Sequence, residues 1–361
     1  MIRQKLQFEE PEKIRLGFYP YTYVRTVVMR ALLFKRDDYL KMLKMSFSEI
    51  AKLLQESHYK KEIDELATQY SGSDLLELAL NKNLAESFKK LIRISSSELG
   101  LLIREYAKRK DIDDLKTILR GKFTNTDEKT VARSITGAGT LSYDFFVSLL
   151  ERESIEEILK NNKLVEFSLF KNGLKALNEK KSLFELENSL DKYYYASLIQ
   201  FSNALPKEGE LFKDFLLKEV EILNILTLFR LKKAQFKKEA IKEFMISSWD
   251  KAKDAKVMEL ASIDNFGQLS KAFGKTEYKD IIAQGIEEFN KTNSLITLEI
   301  DLYKHLLKRS ILFMHQHPLS IDVILGYMLA KDMEIRNLRI IIKGKQLGLS
   351  EQFIESQLIY E

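Results

Sequence analysis

One motif, which occupies residues 111–122 in its first copy, occurs three times and constrains the fold more than any other feature. It reads acid, apolar, any, polar, apolar, any, any, apolar, any, base, any, base. The copies begin at Asp111, Glu221 and Glu334, so the step from the second copy to the third nearly equals the step from the first to the second. A nearly constant step of about 110 residues predicts a chain built from repeated structural units.

Two shorter motifs keep the same order and nearly the same step. A serine followed by an apolar residue and then by Glu or Asn occurs at equal intervals, at Ser46, Ser154 and Ser262. A glutamate followed three residues later by leucine occurs at Glu77, Glu187 and Glu299. The first two serine motifs have the spacing of a helix capping box. We therefore predict an internal triplication with lobes at 1–125, 126–235 and 236–361.

Each unit is predicted to be helical throughout. Ile335 and Leu338 begin an apolar stripe at helical spacing. Gly348 can end that helix in the left-handed conformation, and Ser350 can cap the short helix that follows. Pro20 is suited to the first turn of an opening helix. Because alternating β-branched patterns are nearly absent, the predicted fold class is all-α.

The length of the repeat distinguishes between helical architectures. About 110 residues is much longer than the roughly 34–47 residues of tetratricopeptide, HEAT or armadillo units. Each copy is therefore large enough to form a helical bundle with its own core. Three such lobes joined head to tail can close into a pseudo-threefold arrangement if each turns the next by a third of a circle.

The residue types that usually carry catalysis or cofactors do not form a recognisable pattern. The chain has no cysteine, and Gly274-Lys275-Thr276 lacks the earlier glycine of a phosphate-binding loop. His315 and His317 are two residues apart, which points them to different helix faces, and their position before Pro318 suggests a helix end. We predict a non-catalytic protein with no cofactor and no metal site.

The net charge of +5 is distributed along the chain, which is not the concentrated basic face of most nucleic-acid-binding proteins. The densest basic stretch is Arg230, Lys232, Lys233, Lys237 and Lys238. It is typical of a solvated helix face and loop, with a phosphate-binding patch as the alternative. No stretch has the length or apolarity of a membrane span or a signal peptide, so we expect a cytoplasmic location.

The basic residues that close each repeat motif have two interpretations. The pairs are Arg120 and Lys122, Arg230 and Lys232, and Lys343 and Lys345. At helix ends such cations are stabilised by the helix dipole, by roughly 0.3–1 kcal/mol. In a closed arrangement they could instead form a basic rim that binds an acidic partner. For the repeated glutamates we favour a structural role within each unit.

Three stretches resemble one protein family. They are residues 19–25 (YPYTYVR), 187–194 (ENSLDKYY) and 324–345 (ILGYMLAKDMEIRNLRIIIKGK). Together they look like the C subunit of archaeal and bacterial V/A-type ATPases, the counterpart of the d subunit of vacuolar ATPases. The likeness extends over essentially the whole chain.

This resemblance implies a central-stalk adaptor of a rotary ATPase, peripheral on the cytoplasmic face of the membrane. Its implied shape is a three-lobed helical funnel, which binds no nucleotide and conducts no ions. Its implied partners are the central-shaft subunits D and F and the membrane proteolipid ring. A generic helical scaffold, a nucleic-acid-binding helical repeat protein and an unrecognised helical enzyme remain as alternatives.

Overall fold

The structure is a computed structural model that describes residues 19–206, 209–247, 251–263 and 265–360, without the side chains of residues 251–254. Every regular element in these ranges is a helix, and no strand occurs there. This confirms the predicted all-α class. None of the helices in the described ranges combines the length and apolarity needed to cross a bilayer.

The first third of the chain ends in two long helices that pack on each other. Its helices are α1 (Pro20–Ala31), α2 (Arg36–Lys44), α3 (Phe47–Gln55), α4 (Lys60–Leu66), α5 (Gly72–Arg93) and α6 (Ser97–Phe123). Pro20 occupies the first turn of α1, as predicted. The predicted capping box at α3 is also confirmed, because Ser46 and Glu49 each accept a hydrogen bond from the other's backbone N–H.

The middle third follows the same order, with two long helices last. Its elements are α7 (Glu128–Ser134), α8 (Tyr143–Leu150), α9 (Ile155–Asn161), a 3-10 helix (Phe167–Phe170), α10 (Lys171–Lys180), α11 (Phe184–Asn203) and α12 (Glu210–Lys233). Only one of the two hydrogen bonds of the second predicted capping box forms. Ser154 accepts from the Glu157 N–H, but the Glu157 carboxylate accepts from the Glu153 N–H instead of that of Ser154.

The last third adds one short helix after its long pair. Its helices are α13 (Lys238–Phe244), α14 (Lys251–Ala261), α15 (Phe266–Ala272), α16 (Lys279–Thr292), α17 (Ile296–Gln316), α18 (Ile321–Gln346) and α19 (Glu351–Ser356). In the loosest copy of the serine motif the cap of α15 is Asn265, whereas the Ser262 hydroxyl donates to the Met258 carbonyl. Ser350 caps α19, as predicted.

The ends of α6, α12 and α18 share one backbone geometry. The residues just beyond them, Asn125, Gln235 and Gly348, all have positive φ, of 53°, 60° and 67°. In each case the following N–H donates to a carbonyl five residues back, as in Thr126 to Gly121 and Leu349 to Gly344. The left-handed Gly348 was predicted, whereas the two equivalent turns without glycine were not.

Gln235→Gly is expected to raise the free energy of unfolding by about 0.5–1 kcal/mol, because glycine adopts positive φ without the strain of an L side chain. The Gln235 side chain is exposed, so little packing is lost. Urea unfolding should show a higher midpoint with an unchanged slope. Gly348→Ala is the matched control and should lower the midpoint. No shift for Gln235→Gly would contradict the strain argument.

Helix α18 lies at the centre of the core. Its first half, from Ile321 to Leu329, is buried on all sides, as is typical of a helix with a nearly continuous apolar sequence. It packs against α17, α5, α1 and α12. The long helices contact one another in a regular order, since α6 packs on α11, α12 on α17 and α18 on α5.

Each short helix that follows a long pair also contacts the next helix along the chain, and the last one contacts α2 near the beginning. Helix α7 lies on α8, α13 on α14, and α19 on α2. Beyond α19, the Asn337 amide donates to the Ile359 carbonyl (2.6 Å) and accepts from its N–H (2.9 Å). Asn224 makes the same pair of bonds with Ile246. The end of the chain therefore occupies, against α2, the position that α7 and α13 occupy against α8 and α14.

Candidate functional site

Three ion pairs connect the repeated bases with the repeated glutamates. Arg120 binds Glu187 through two contacts of 2.6 and 2.8 Å. Arg230 Nη2 lies 2.5 Å from Glu299 Oε2, and Lys343 Nζ lies 3.4 Å from Glu77 Oε1. The repeated glutamates thus have structural contacts, as predicted, but each contact joins two of the predicted units instead of lying within one. The third pair joins the last copy of the motif to the first third of the chain.

The first base of each repeated basic pair remains about half exposed. The exposed fractions of the Arg120, Arg230 and Lys343 side chains are 60%, 53% and 49%. Ion pairs at this level of exposure contribute about 0–1 kcal/mol each, because water screens them. The three bases can therefore hold their glutamates and still present charge to a partner. We call Arg120, Arg230 and Lys343 the basic rim.

The second bases point into the body of the protein. Lys122 donates to the Leu150 carbonyl (3.2 Å), and Lys345 donates to the Leu43 carbonyl. Lys232 is 9% exposed. Residues two apart on a helix lie on nearly opposite sides, and this spacing could have separated the two sets from sequence alone. Partner binding by these six bases remains a prediction.

The densest basic stretch is also partly engaged within the chain. Besides Arg230 and Lys232, Lys233 donates to the Asn293 carbonyl (2.5 Å) and lies over the Phe289 ring. These contacts favour the predicted helix face over a phosphate-binding patch.

Helices α6, α12 and α18 are held together by ion pairs near their middles. Arg109 lies 3.0 Å from Glu219, and Lys110 lies 2.6 Å from Asp332. We call these four residues the hub. The rim bases lie three turns further along each helix (109 to 120, 219 to 230, 332 to 343), which is about 16 Å. At that level each rim base binds a glutamate of α11, α17 or α5, so the three helices meet at the hub and are tied to other helices at the rim.

The hub carboxylate Glu219 is fully enclosed. It accepts hydrogen bonds from Arg109 and from the Tyr106 hydroxyl (2.8 Å), and the Tyr194 hydroxyl donates to the Tyr106 carbonyl. Burial raises the pKa of Glu219, although Arg109 and Tyr106 partly oppose that shift. An enclosed carboxylate held by a guanidinium and a phenol suits a rigid joint.

A second buried cluster surrounds Glu334, the first acid of the third repeat motif. Its carboxylate accepts from the Phe34 N–H (2.6 Å), the Tyr59 hydroxyl (2.5 Å) and Lys331 (2.8 Å). His58 Nε2 lies 3.1 Å from the same carboxylate. Burial would raise the pKa of Glu334, but Lys331 and His58 outweigh burial and lower the pKa to about 2.

The Glu334 cluster fastens α18 to the segments that precede α2 and α4. Lys331 and Glu334 are each about 1% exposed as side chains, so a substrate has no access to them. Sequence reasoning did not identify this cluster. The only signal was that Glu334 and Lys331 lie on one helix face, three residues apart.

The described residues contain no group of three or more His, Cys, Asp or Glu side chains placed to hold a metal ion. His315 lies in the last turn of α17 and His317 directly after it, which confirms the predicted helix end. His317 Nδ1 lies 2.7 Å from the Asp322 carboxylate. The Gly274-Lys275-Thr276 segment lies between α15 and α16.

Comparison with known proteins gives a consistent result over nearly the whole chain. A family profile described as ATP synthase (C/AC39) subunit matches residues 23–357. The C subunit of the A-type ATP synthase of Methanococcoides burtonii is 37% identical over 342 residues, which cover 94% of each chain. The equivalent subunits of Methanosarcina acetivorans and Haloquadratum walsbyi are 37% identical (94% of this chain, 92% of the relative) and 30% identical (94% and 97%). The chain therefore belongs to the ATP synthase (C/AC39) subunit family.

Proposed function

We propose that this protein is a non-catalytic central-stalk adaptor of a V/A-type rotary ATPase. It joins the rotor shaft to the membrane proteolipid ring and transmits torque for ATP-coupled ion transport. Family membership supports its place in the complex. The observation that carries the adaptor role is the arrangement of α6, α12 and α18, which meet at the hub and bind other helices at the rim.

The proposal includes three related lobes in a funnel-like, pseudo-threefold arrangement, with boundaries at 1–125, 126–235 and 236–361. The nearly constant step of the repeat supports it, because the same step separates the left-handed turns at 125, 235 and 348. The rim pairs support it as well, since each links one predicted lobe to the next and the last links back to the first. In a closed arrangement, all three contacts between lobes share the transmitted torque.

In this proposal the wide side, where the rim lies, receives the base of the shaft made of subunits D and F. The opposite side rests on the proteolipid ring, so the protein is peripheral on the cytoplasmic face of the membrane. The adaptor can transmit torque from the shaft to the ring only if it is rigid. Contacts such as Arg109–Glu219 support this proposal, because they join α6 to α12 through side chains that are mostly enclosed.

Reversing the rim charges tests the contact with the shaft. The triple variant Arg120→Glu, Arg230→Glu, Lys343→Glu is expected to lower the recovery of shaft subunits in a pull-down about ten-fold at moderate salt, because like charges now face an acidic partner. Recovery of the ring should not change. Wild-type binding of the shaft should weaken as the salt concentration rises.

Swapping both members of each pair is the matched control. In Arg120→Glu with Glu187→Arg, and likewise at the other two pairs, the internal ion pairs are kept while the more exposed position becomes acidic. If the swap restores shaft recovery, the rim bases act only inside the chain. If wild-type protein recovers neither shaft nor ring from solubilised membranes rich in the complex, the adaptor function is wrong and a generic scaffold takes its place.

A further inference from the structure

The first acid of each repeat motif has a different environment in the middle copy. Asp111 and Glu334 are buried, whereas the Glu221 side chain is 46% exposed. In the first copy Asp111 accepts from the backbone N–H groups of residues 140–141, at 2.8 and 3.0 Å. In the third copy Glu334 accepts from the Phe34 N–H. In two copies, therefore, a non-helical segment of the chain lies over the acid and donates backbone N–H groups to it.

Beside the acid of the middle copy lies a cavity of about 570 Å³, which we call the α12 cavity. It is bounded by α12, α14, α17 and the turn between α15 and α16. Glu221 lines it and is bound by Lys218 of the same helix, at 3.0 Å. The volume is typical of binding pockets, which measure roughly 300–1,000 Å³. The space that a chain segment fills beside the other two acids is thus open beside Glu221.

The α12 cavity combines apolar walls with two polar groups that can bind an occupant. Its apolar lining includes Leu217, Leu228, Leu260 and Phe313. Besides the Glu221 carboxylate, the cavity has Arg309, whose Nε is enclosed and has no hydrogen-bond partner among the described residues. The contact of Arg309 Nε with the Glu277 carboxylate is 3.7 Å, which is too long for a hydrogen bond. Because an enclosed donor without an acceptor costs free energy, an occupant that brings a carbonyl oxygen to Arg309 is favoured.

The charges at the α12 cavity balance. The described lining residues, with the glutamate that binds Lys218, comprise three bases and three acids: Lys218, Lys256, Arg309, Asp214, Glu221 and Glu277. An anionic lipid or a nucleic acid meets as many acids as bases there, so electrostatic complementarity does not favour it. A neutral group that carries both a donor and an acceptor fits Glu221 and Arg309 together. The peptide unit is such a group, because it has one N–H and one C=O.

We propose that the α12 cavity binds an extended, apolar peptide segment of another protein. The segment donates a backbone N–H to Glu221, as residues 140–141 do to Asp111 and Phe34 does to Glu334. One of its carbonyl oxygens accepts from Arg309 Nε, and its apolar side chains fill the rest of the cavity. This site is independent of the adaptor function, because it uses neither the basic rim nor a contact with the ring.

The test measures peptide binding to the full-length protein by fluorescence anisotropy. The probes are labelled peptides with the sequences of residues 31–37 and 136–142, the two segments that cover the equivalent acids. At least one of them is expected to bind saturably. Methylation of the backbone nitrogen that corresponds to Phe34 or Leu141 removes a donor and should weaken binding about five-fold or more. Glu221→Ala and Arg309→Met should each weaken binding to a similar extent, because each removes a hydrogen-bond partner of the peptide.

Arg336→Met is the matched control for Arg309→Met. Arg336 has the same exposed fraction of 34% and a similarly long contact with a glutamate, at 3.8 Å. Each of the two arginines also lies over an aromatic ring. Because Arg336 does not line the α12 cavity, its variant should bind the peptides as the wild type does.

The remaining outcomes overturn the proposal in distinguishable ways. If the wild type binds neither peptide, or binds the methylated peptides equally well, the cavity is not a peptide site. If, in addition, Glu221→Ala strongly lowers the melting temperature, the cavity is covered by this chain itself. Flotation of the wild type with phosphatidylglycerol vesicles, lost in Arg309→Met, assigns the cavity to lipid. Recovery of shaft and ring by Glu221→Ala should equal that of the wild type, so failure of this proposal leaves the adaptor function untouched.

Discussion

Deleting residues 350–361 is expected to abolish cooperative unfolding or to lower the free energy of unfolding by about 6 kcal/mol or more. The segment buries Ile354, Leu358 and Ile359 almost completely, and burial of three such side chains contributes about 5–9 kcal/mol. The deletion also leaves the buried Asn337 amide without its partner at Ile359, at a further cost of about 1–3 kcal/mol. The total free energy of unfolding of an ordinary domain is only about 5–15 kcal/mol.

Urea unfolding followed by circular dichroism measures this effect, and point variants keep it testable if the deletion does not fold. Leu358→Ala should lower the free energy of unfolding by about 2–5 kcal/mol. Gln352→Ala, on the exposed side of α19, is the control and should change it by less than about 0.5 kcal/mol. A deletion variant that unfolds at the wild-type urea concentration would show that α19 contributes nothing to closing the chain on α2.

Glu334→Ala is expected to cost about 3–5 kcal/mol of unfolding free energy, because it leaves the buried ammonium of Lys331 without its counter-ion. The Phe34 N–H and the Tyr59 hydroxyl lose their acceptor as well. The double variant Lys331→Met, Glu334→Met removes both charges and should recover part of the loss, although the Phe34 N–H and the Tyr59 hydroxyl remain without their acceptor. If the double variant is less stable than Glu334→Ala, the cost comes from lost packing rather than from an isolated charge.

The same contacts predict a dependence on pH. The pKa of Glu334 falls from 4.5 to about 2 on folding, so its contribution is fully present above about pH 5 and is lost as the pH falls toward 2. The difference in unfolding free energy between wild type and Glu334→Ala should therefore shrink over that range. A constant difference from pH 7 to pH 3 would contradict the lowered pKa. Because the other carboxylates titrate in both proteins, their contributions to the unfolding free energy cancel when the two proteins are compared at the same pH.

Local features of the fold could be predicted from the sequence with good success. The start of α1 at Pro20, the caps at Ser46 and Ser350 and the turn at Gly348 were all predicted. Each depends on contacts within about five residues, so the local sequence specifies it. The turn at Gln235 was missed because glutamine carries no conformational signal, and the helix packing imposes the left-handed geometry there.

The candidate site depended more on the tertiary structure. The repeated bases and glutamates were visible in the sequence, but their pairing was not, because Arg120 and Glu187 are 67 residues apart. The two-residue spacing of Arg230 and Lys232 places them on nearly opposite sides of a helix, which indicates that the two differ in exposure. The Glu334 cluster draws on three separate segments, and nothing local marks Tyr59 or His58 as its members.

By itself the sequence determined the helical class, the ends of several helices and the spacing of the recurring motif, since these follow from the order of neighbouring residues. Only the tertiary structure decided which charges meet and which remain at the surface. Lys343, near the end of the chain, forms an ion pair with Glu77 in the first third of the chain. Helix α19 likewise packs on α2, although nearly the whole sequence separates them. Such contacts form because long helices bury their apolar faces together, and that packing then sets which polar side chains lie within reach.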